Sequence, residues 1–94
     1  MKYEILFIVR PDLEESKVKD VYKKFEAVLT SNGASILSSK ELGQKELAYE
    51  IKKHKSGYYF LINVESNVDE INEFDRVALI SEEIIRHLIV KLDK

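Results

Sequence analysis

The chain has 94 residues, 45% of them hydrophobic, which is enough for one core but not for two. It contains no cysteine, which excludes disulfides and thiolate metal sites, and its two isolated histidines argue against a zinc site. The net charge of −2 argues against a stand-alone nucleic-acid-binding domain, because such domains usually carry a marked basic excess. We expect a single domain over residues 1–94 that is soluble and cytoplasmic.

The amino terminus predicts a strand, Tyr3–Val9, rather than a signal peptide, because Pro11 and Asp12 follow it without a small-residue cleavage site. Successive residues of this strand are apolar, so both of its faces should be buried and the strand should be central in its sheet. No apolar run approaches the roughly 20 residues that a membrane span needs. We therefore expect no contact with a membrane.

A first helix is predicted from Leu13 to Ser31. Its apolar residues recur every three or four positions, which is the spacing of one buried stripe: Val18, Val21, Tyr22, Phe25, Val28 and Leu29. Asp12 or Glu14 can cap its start, and Asp12 with Glu15 has a capping-box-like spacing, while Asn32-Gly33 is a typical helix end.

A long hairpin is predicted next. Ser35–Lys40 and Leu42–Ile51 indicate one interrupted strand with a bulge or bend at Gly43. A turn over residues 52–57 follows, with Lys52, Lys53, His54 and Lys55 in it, and then a second central strand, Tyr58–Glu65. The basic turn is consistent with a finger placed on an anionic partner, and equally with a solvated turn whose lysines keep an edge soluble.

The carboxy-terminal third predicts a second helix and a last strand. Asn67 is the expected cap with Glu70 three residues later, and the buried stripe is Val68, Ile71, Phe74, Val77 and Ala78. The last strand, Ile84–Leu92, has two alternating sets, Ile85/His87/Ile89 and Ile84/Arg86/Leu88/Val90. The pattern does not select which set meets the helices. We expect His87 to be a structural histidine.

The order strand, helix, strand, strand, helix, strand favours an α+β fold of the ferredoxin-like βαββαβ type. It is a four-stranded antiparallel sheet with two helices on one face. If Ile5 and Phe7 face the helices, four apolar residues lie on the open face: Leu6, Ile8, Tyr59 and Leu61. An apolar open face usually marks a partner-binding surface. Cover by the long hairpin or self-association would also explain it.

Catalytic chemistry is not indicated by the sequence. Neither histidine lies in a recognisable triad setting, no acidic pair has a spacing typical of acid–base work, and the three glycines form no phosphate-binding loop. We expect neither an enzyme, nor a cofactor or metal, nor a small-molecule substrate.

The segment GQKELAYEIK, Gly43–Lys52, resembles the signature of the bacterial small-subunit ribosomal protein six family. In that family a glycine precedes a basic residue, then Leu-Ala/Ser-Tyr, and then an isoleucine. The resemblance extends along the chain through Tyr3-Glu4, Pro11, Asn32-Gly33-Ala34, Gly57-Tyr58 and Ile89-Val90-Lys91.

This resemblance implies a structural role in the small ribosomal subunit. The family binds the central domain of small-subunit ribosomal RNA together with small-subunit protein eighteen, a smaller and more basic partner. By position, the candidate RNA or interface contacts are Lys45, Tyr49, Lys52, Lys53, Lys55, Arg86 and Lys91, with Tyr3 as a weaker one. The lysines would position phosphates rather than distinguish bases.

Three alternatives share the fold. Lys55–Ile62 loosely resembles the aromatic core of an RNA-recognition motif, which predicts binding of single-stranded RNA by the isolated protein. An apolar open face is also typical of a homodimeric regulatory domain, which would be indifferent to RNA. A small acyl-phosphate-hydrolysing enzyme would need a phosphate-binding loop that the sequence does not contain.

Overall fold

The computed structural model describes residues 1–31 and 33–92, and it arranges them as a four-stranded antiparallel sheet with two helices. In chain order the elements are β1 (Lys2–Val9), α1 (Glu15–Ser31), β2 (Ser35–Ile51), β3 (His54–Glu65), α2 (Val68–Ile80) and β4 (Ile84–Lys91). The strand order is β2-β3-β1-β4. The predicted α+β, ferredoxin-like βαββαβ fold is confirmed, and so is the central position of the two most apolar strands, β1 and β3.

The core lies between one face of the sheet and the two helices. Alternate residues of β1 and β3 contribute to it together with residues of both helices, so the helices share one face. Five aromatic rings form its centre: Phe7, Tyr22, Phe25, Phe60 and Phe74. The centroid of the Phe7 ring lies 5.3–6.4 Å from those of the other four. Such ring pairs add roughly 0.5–1.5 kcal/mol each to the gain from burial.

The start of α1 differs from the prediction. The helix begins at Glu15 rather than Leu13, and the expected capping box is wrong. Both Asp12 carboxylate oxygens accept hydrogen bonds from Arg10 at 2.8 Å. The Asp12 carboxylate therefore does not cap the helix. The Glu14 carbonyl accepts the first helical bonds, from the backbone amides of residues 17 and 18.

The end of α1 has the expected glycine. Gly33 has φ 99°, in the left-handed region where a side chain is strained, and the Ala34 amide donates to the Leu29 carbonyl at 3.1 Å. Asn32, the other residue of the predicted helix end, lies outside the described residues.

The cap of α2 is as predicted. The Asn67 side chain accepts a bond from the Glu70 amide at 3.2 Å, and the Glu70 carboxylate accepts one from the Asn67 amide. The predicted buried stripe is wrong only at Val68, which is 56% exposed, because the first residue of the helix lies beyond the edge of the core.

The residues of the last strand that face the helices come from both of the two alternating sets. Ile8 pairs with Arg86 but Val9 pairs with Ile84, so Ile85 is an extra residue in a bulge. His87 and Ile89 therefore face the helices together with Ile84, whereas Arg86, Leu88 and Val90 lie on the open face. The bulge at Ile85 therefore moves the helix-facing side of the strand from one alternating set to the other.

Candidate nucleic-acid and protein interface

The hairpin between β2 and β3 turns more tightly than predicted. Ile51 pairs with His54, which leaves only Lys52 and Lys53 as the loop, and β3 begins four residues before Tyr58. Both lysines have positive φ, 50° and 69°. A two-residue hairpin loop of this kind needs positive φ at both positions and usually has Asn-Gly there. The sequence therefore places two basic side chains where the backbone favours small residues.

Next to this tip, β2 contains a long bulge. Glu46 pairs with Ser56 and Ile51 with His54, so residues 47–50 lie opposite a single residue of β3. We call residues 47–50 the arch. The predicted bulge at Gly43 is confirmed as a second irregularity, with φ 85° at that glycine and a register shift between Glu41 and Gly43. These bulges bend the strand out of the plane of the sheet.

The arch reaches across the open face to the opposite edge of the sheet. Arg86 Nη1 on β4 donates a hydrogen bond to the Tyr49 hydroxyl oxygen at 3.0 Å. Because β2 and β4 are the two edge strands, this bond passes over both central strands. The structure thus brings together two predicted contact residues that are 37 positions apart in the chain.

The other predicted basic residues occupy three places. Lys52 and Lys53 form the tip, and Lys45 and Lys55 lie beside one shallow groove on the shaft of the hairpin. Among the residues that the structure describes, no ion pair joins any of these four lysines to a carboxylate. Lys91 lies five residues along β4 from Arg86, roughly 17 Å away at the usual strand rise.

Tyr3, the weaker candidate, is not brought to this surface. It pairs with Lys91, is 6% exposed, and its hydroxyl lies 3.7 Å from Met1 Sδ. Its ring belongs to the core, so the position offers little surface for a contact.

The open face of the sheet is apolar and only partly covered. Leu6, Tyr59 and Leu61 are half-buried there, as predicted from alternation, but Ile8 is only 5% exposed. A groove of about 230 Å³ lies between the arch, the central strands and β4, and the open-face residues among those that line it are Leu6, Ile8, Leu47, Ala48, Tyr49, Ile51, Tyr59, Arg86 and Leu88. The hairpin therefore covers one end of the face and leaves the rest accessible.

Two exposed residues of this face were not among the predicted site residues. Leu88 is 52% and Val90 42% exposed, and both lie on the open face of the edge strand β4. Both residues alternate with Ile89 in the strand that contains Arg86, and this alternation could have identified them. They were not selected because the sequence pattern does not show which alternating set of β4 faces the helices.

The aromatic pair Tyr59-Phe60 does not form a stacking platform. Phe60 is 3% exposed and packs on Tyr22 with ring centroids 4.7 Å apart, whereas Tyr59 lies on the other face. Adjacent strand residues point to opposite faces, so only one of these rings is available to a base.

Two other kinds of site were searched for in the described part of the chain. Residues 1–31 and 33–92 contain no helix that is long and apolar enough to cross a membrane. The same residues contain no group of three side chains that could hold a metal ion.

Comparison with known proteins supplies the context for this surface. A family described as ribosomal protein S6 matches residues 2–91, from the start of β1 to the end of β4. The chain is also similar to the crystal structure of 30S ribosomal protein S6 from Thermotoga maritima, with 25% sequence identity and a TM-score of 0.90. That similarity covers 94% of this chain and 83% of the Thermotoga chain.

Proposed function

The chain belongs to the ribosomal protein S6 family, a structural and non-enzymatic component of the small ribosomal subunit, and from this premise we propose its binding partners. It acts as one domain in the ribosome of the cytoplasm. It binds the central domain of small-subunit ribosomal RNA, and it does so together with small-subunit protein eighteen. The observation that carries the proposal is the arch, which gathers an exposed arginine and a lysine tip beside an apolar face.

The RNA contact is supported by the local distribution of charge. The whole chain has a net charge of −2, so attraction to RNA must come from a confined basic surface. Lys52 and Lys53 directly follow Ile51, which lines the same groove as Arg86. The tip and Arg86 therefore lie at one end of the sheet, where they can neutralise neighbouring phosphates. Lys45 and Lys55 extend this surface down the hairpin.

The protein partner is supported by the apolar side chains beside that basic surface. Leu6, Tyr59 and Leu61 are half-buried, and Leu88 and Val90 are more exposed. A basic partner that covers these residues would bury apolar area and would also bring positive charge to an acidic protein. Both effects favour joint binding of the two proteins to RNA.

The proposal is tested by titrating a central-domain fragment of small-subunit ribosomal RNA with this protein, alone and mixed with protein eighteen, at two salt concentrations. We expect tight binding that weakens steeply with salt only in the mixture. Equally tight binding without the partner would favour a domain of the RNA-recognition-motif type, which binds single-stranded RNA by itself. Absence of binding in both titrations would overturn the proposal. Sedimentation of the protein alone checks for the homodimer.

Two matched double variants test whether the lysine tip is part of the RNA-binding surface. Lys52→Gln with Lys53→Gln should weaken RNA binding by the mixture and reduce the slope of log affinity against log salt by about 1–2. Lys19→Gln with Lys23→Gln removes the same charge from α1, on the helix side of the sheet rather than on its open face, and should have a smaller effect. Equal effects of the two pairs would mean that only net charge matters.

A further inference from the structure

The three arginines of the chain differ in what occupies the guanidinium. Arg10 donates from Nε and Nη2 to both oxygens of Asp12, and Arg76 donates from the same two nitrogens to both oxygens of Glu73. Arg86 instead donates from Nη1 to the neutral hydroxyl of Tyr49. Within residues 1–31 and 33–92 it has no carboxylate partner.

We propose that Tyr49 is a positioning residue that holds the Arg86 guanidinium ready for one phosphate of the RNA. The proposal rests on the proposed function and adds the role of this pair to it. Bidentate binding by a guanidinium uses two parallel N–H groups, as the other two arginines show with their carboxylates. Among the described residues no carboxylate occupies that same edge of Arg86, Nε and Nη2, so it can bind an anion from outside the chain.

A tyrosine is chemically suited to this role. Its hydroxyl oxygen accepts a bond without neutralising the positive charge, whereas a carboxylate at the same place would compete with phosphate. A free arginine side chain has about 2 kcal/mol of rotamer entropy, so fixing it before binding lowers the cost of binding. Tyr49 is 64% exposed, so little packing gain explains its place over the sheet.

The surroundings of the pair favour a phosphate in an RNA chain. Arg86 lines the same groove as Leu6 and Leu88, so apolar surface is available beside the aliphatic part of its side chain. The lysine tip follows Ile51 on the same groove and offers two more cations for adjacent phosphates. A planar guanidinium with point charges next to it is the arrangement that favours a polyanion with repeated phosphates.

The test is a double-mutant cycle on RNA affinity, measured with protein eighteen present. Tyr49→Phe keeps the ring and removes the hydroxyl, and we expect it to weaken binding about 2–10-fold without changing the salt slope. Arg86→Lys keeps the charge but removes the two parallel N–H groups of the guanidinium, and we expect a larger loss of RNA affinity. The double variant should bind like Arg86→Lys alone, because Tyr49 acts only through the arginine.

Controls separate positioning from a structural role. Tyr58→Phe removes a hydroxyl from the opposite face of the same hairpin and should bind RNA like the wild type. Urea unfolding identifies any variant that loses binding through loss of folding. Affinity for protein eighteen without RNA should be unchanged in Tyr49→Phe.

Three results would overturn the inference while leaving the proposed function in place. These are wild-type RNA affinity in Tyr49→Phe, additive effects in the double variant, and a loss in Tyr49→Phe that is already present in binding to the protein partner alone. Failure of the wild-type mixture to bind RNA would instead overturn the proposed function itself. The two failures are therefore distinguishable in one set of titrations.

Discussion

His87 Nε2 on β4 lies 2.7 Å from Asp75 Oδ1 on α2, and this contact joins the edge strand to the helix above it. The His87 side chain is only 12% exposed, and its ring meets the Phe74 ring edge to face. A nearly buried ring nitrogen therefore depends on one carboxylate for its hydrogen bond.

We expect Asp75→Ala to lower the free energy of unfolding by about 1–2 kcal/mol, because it leaves that nitrogen without its partner. Asp75→Asn should cost less, since its amide can still form a hydrogen bond. Urea denaturation measures both. Asn72→Ala, on the exposed side of the same helix, is the control, and equal stability of Asp75→Ala and Asn72→Ala would contradict the structural role.

The expectation of a structural histidine came from its apolar neighbours in the chain, and the contact with Asp75 confirms it. Which face of the strand His87 occupies could not be predicted. The bulge at Ile85 shifts the alternation by one residue, and a bulge depends on pairing with β1 rather than on the local pattern.

Two glycines of the hairpin should respond to alanine for different reasons. At Gly57 an added Cβ would collide with Ile8 Cγ2 and lie 3.1 Å from the Val9 carbonyl oxygen. At Gly43 an added Cβ would have no atom of the described residues within 4 Å apart from those of its chain neighbours, but φ is 85°. We expect losses of about 2–3 kcal/mol for Gly57→Ala, from overpacking, and about 1 kcal/mol for Gly43→Ala, from backbone strain. Urea unfolding of both variants checks this order, and a larger loss at Gly43 would contradict it.

The hairpin tip should show opposite effects on stability and binding. Replacing Lys52 by Asn and Lys53 by Gly gives the loop the residues that positive φ favours, and should stabilise the protein by about 1 kcal/mol. The same variant loses two cations and should bind RNA more weakly in the mixture with protein eighteen. Thermal unfolding and RNA titration measure the two effects. A variant that is less stable than the wild type would show that the lysines do not strain the turn.

The sequence was informative about the basic residues of the candidate site but not about their arrangement. The signature around Tyr49 and the lysines of the turn were identified from residue types alone. Their proximity to Arg86 depends on the arch, where four residues of β2 oppose one of β3. Local pattern does not encode such a pairing, because it is decided by contacts between strands that are far apart in the chain.

The turn before β4 should contribute a pH-dependent stability. The Ser81 hydroxyl donates to Glu83 Oε1 at 2.7 Å, and this bond, together with one from the Glu83 backbone amide, lowers the pKa of Glu83 below its ordinary value of 4.5. Because the pKa is lower in the folded state, the stabilisation is present above the ordinary value. It is lost as the pH falls through the lowered one.

We expect Ser81→Ala to destabilise the protein by about 0.5–1 kcal/mol at neutral pH, less than a fully buried charged hydrogen bond because the carboxylate is largely solvated. As the pH falls through the lowered pKa of Glu83, the cost should shrink, because the carboxyl group then becomes protonated in both states. Glu83→Gln can still accept from the serine but does not titrate, so its stability should vary less between about pH 3 and 5. Urea unfolding of the three proteins at both ends of this range tests the linkage. An equal cost of Ser81→Ala at neutral and acid pH would place the effect in packing rather than in the charge of Glu83.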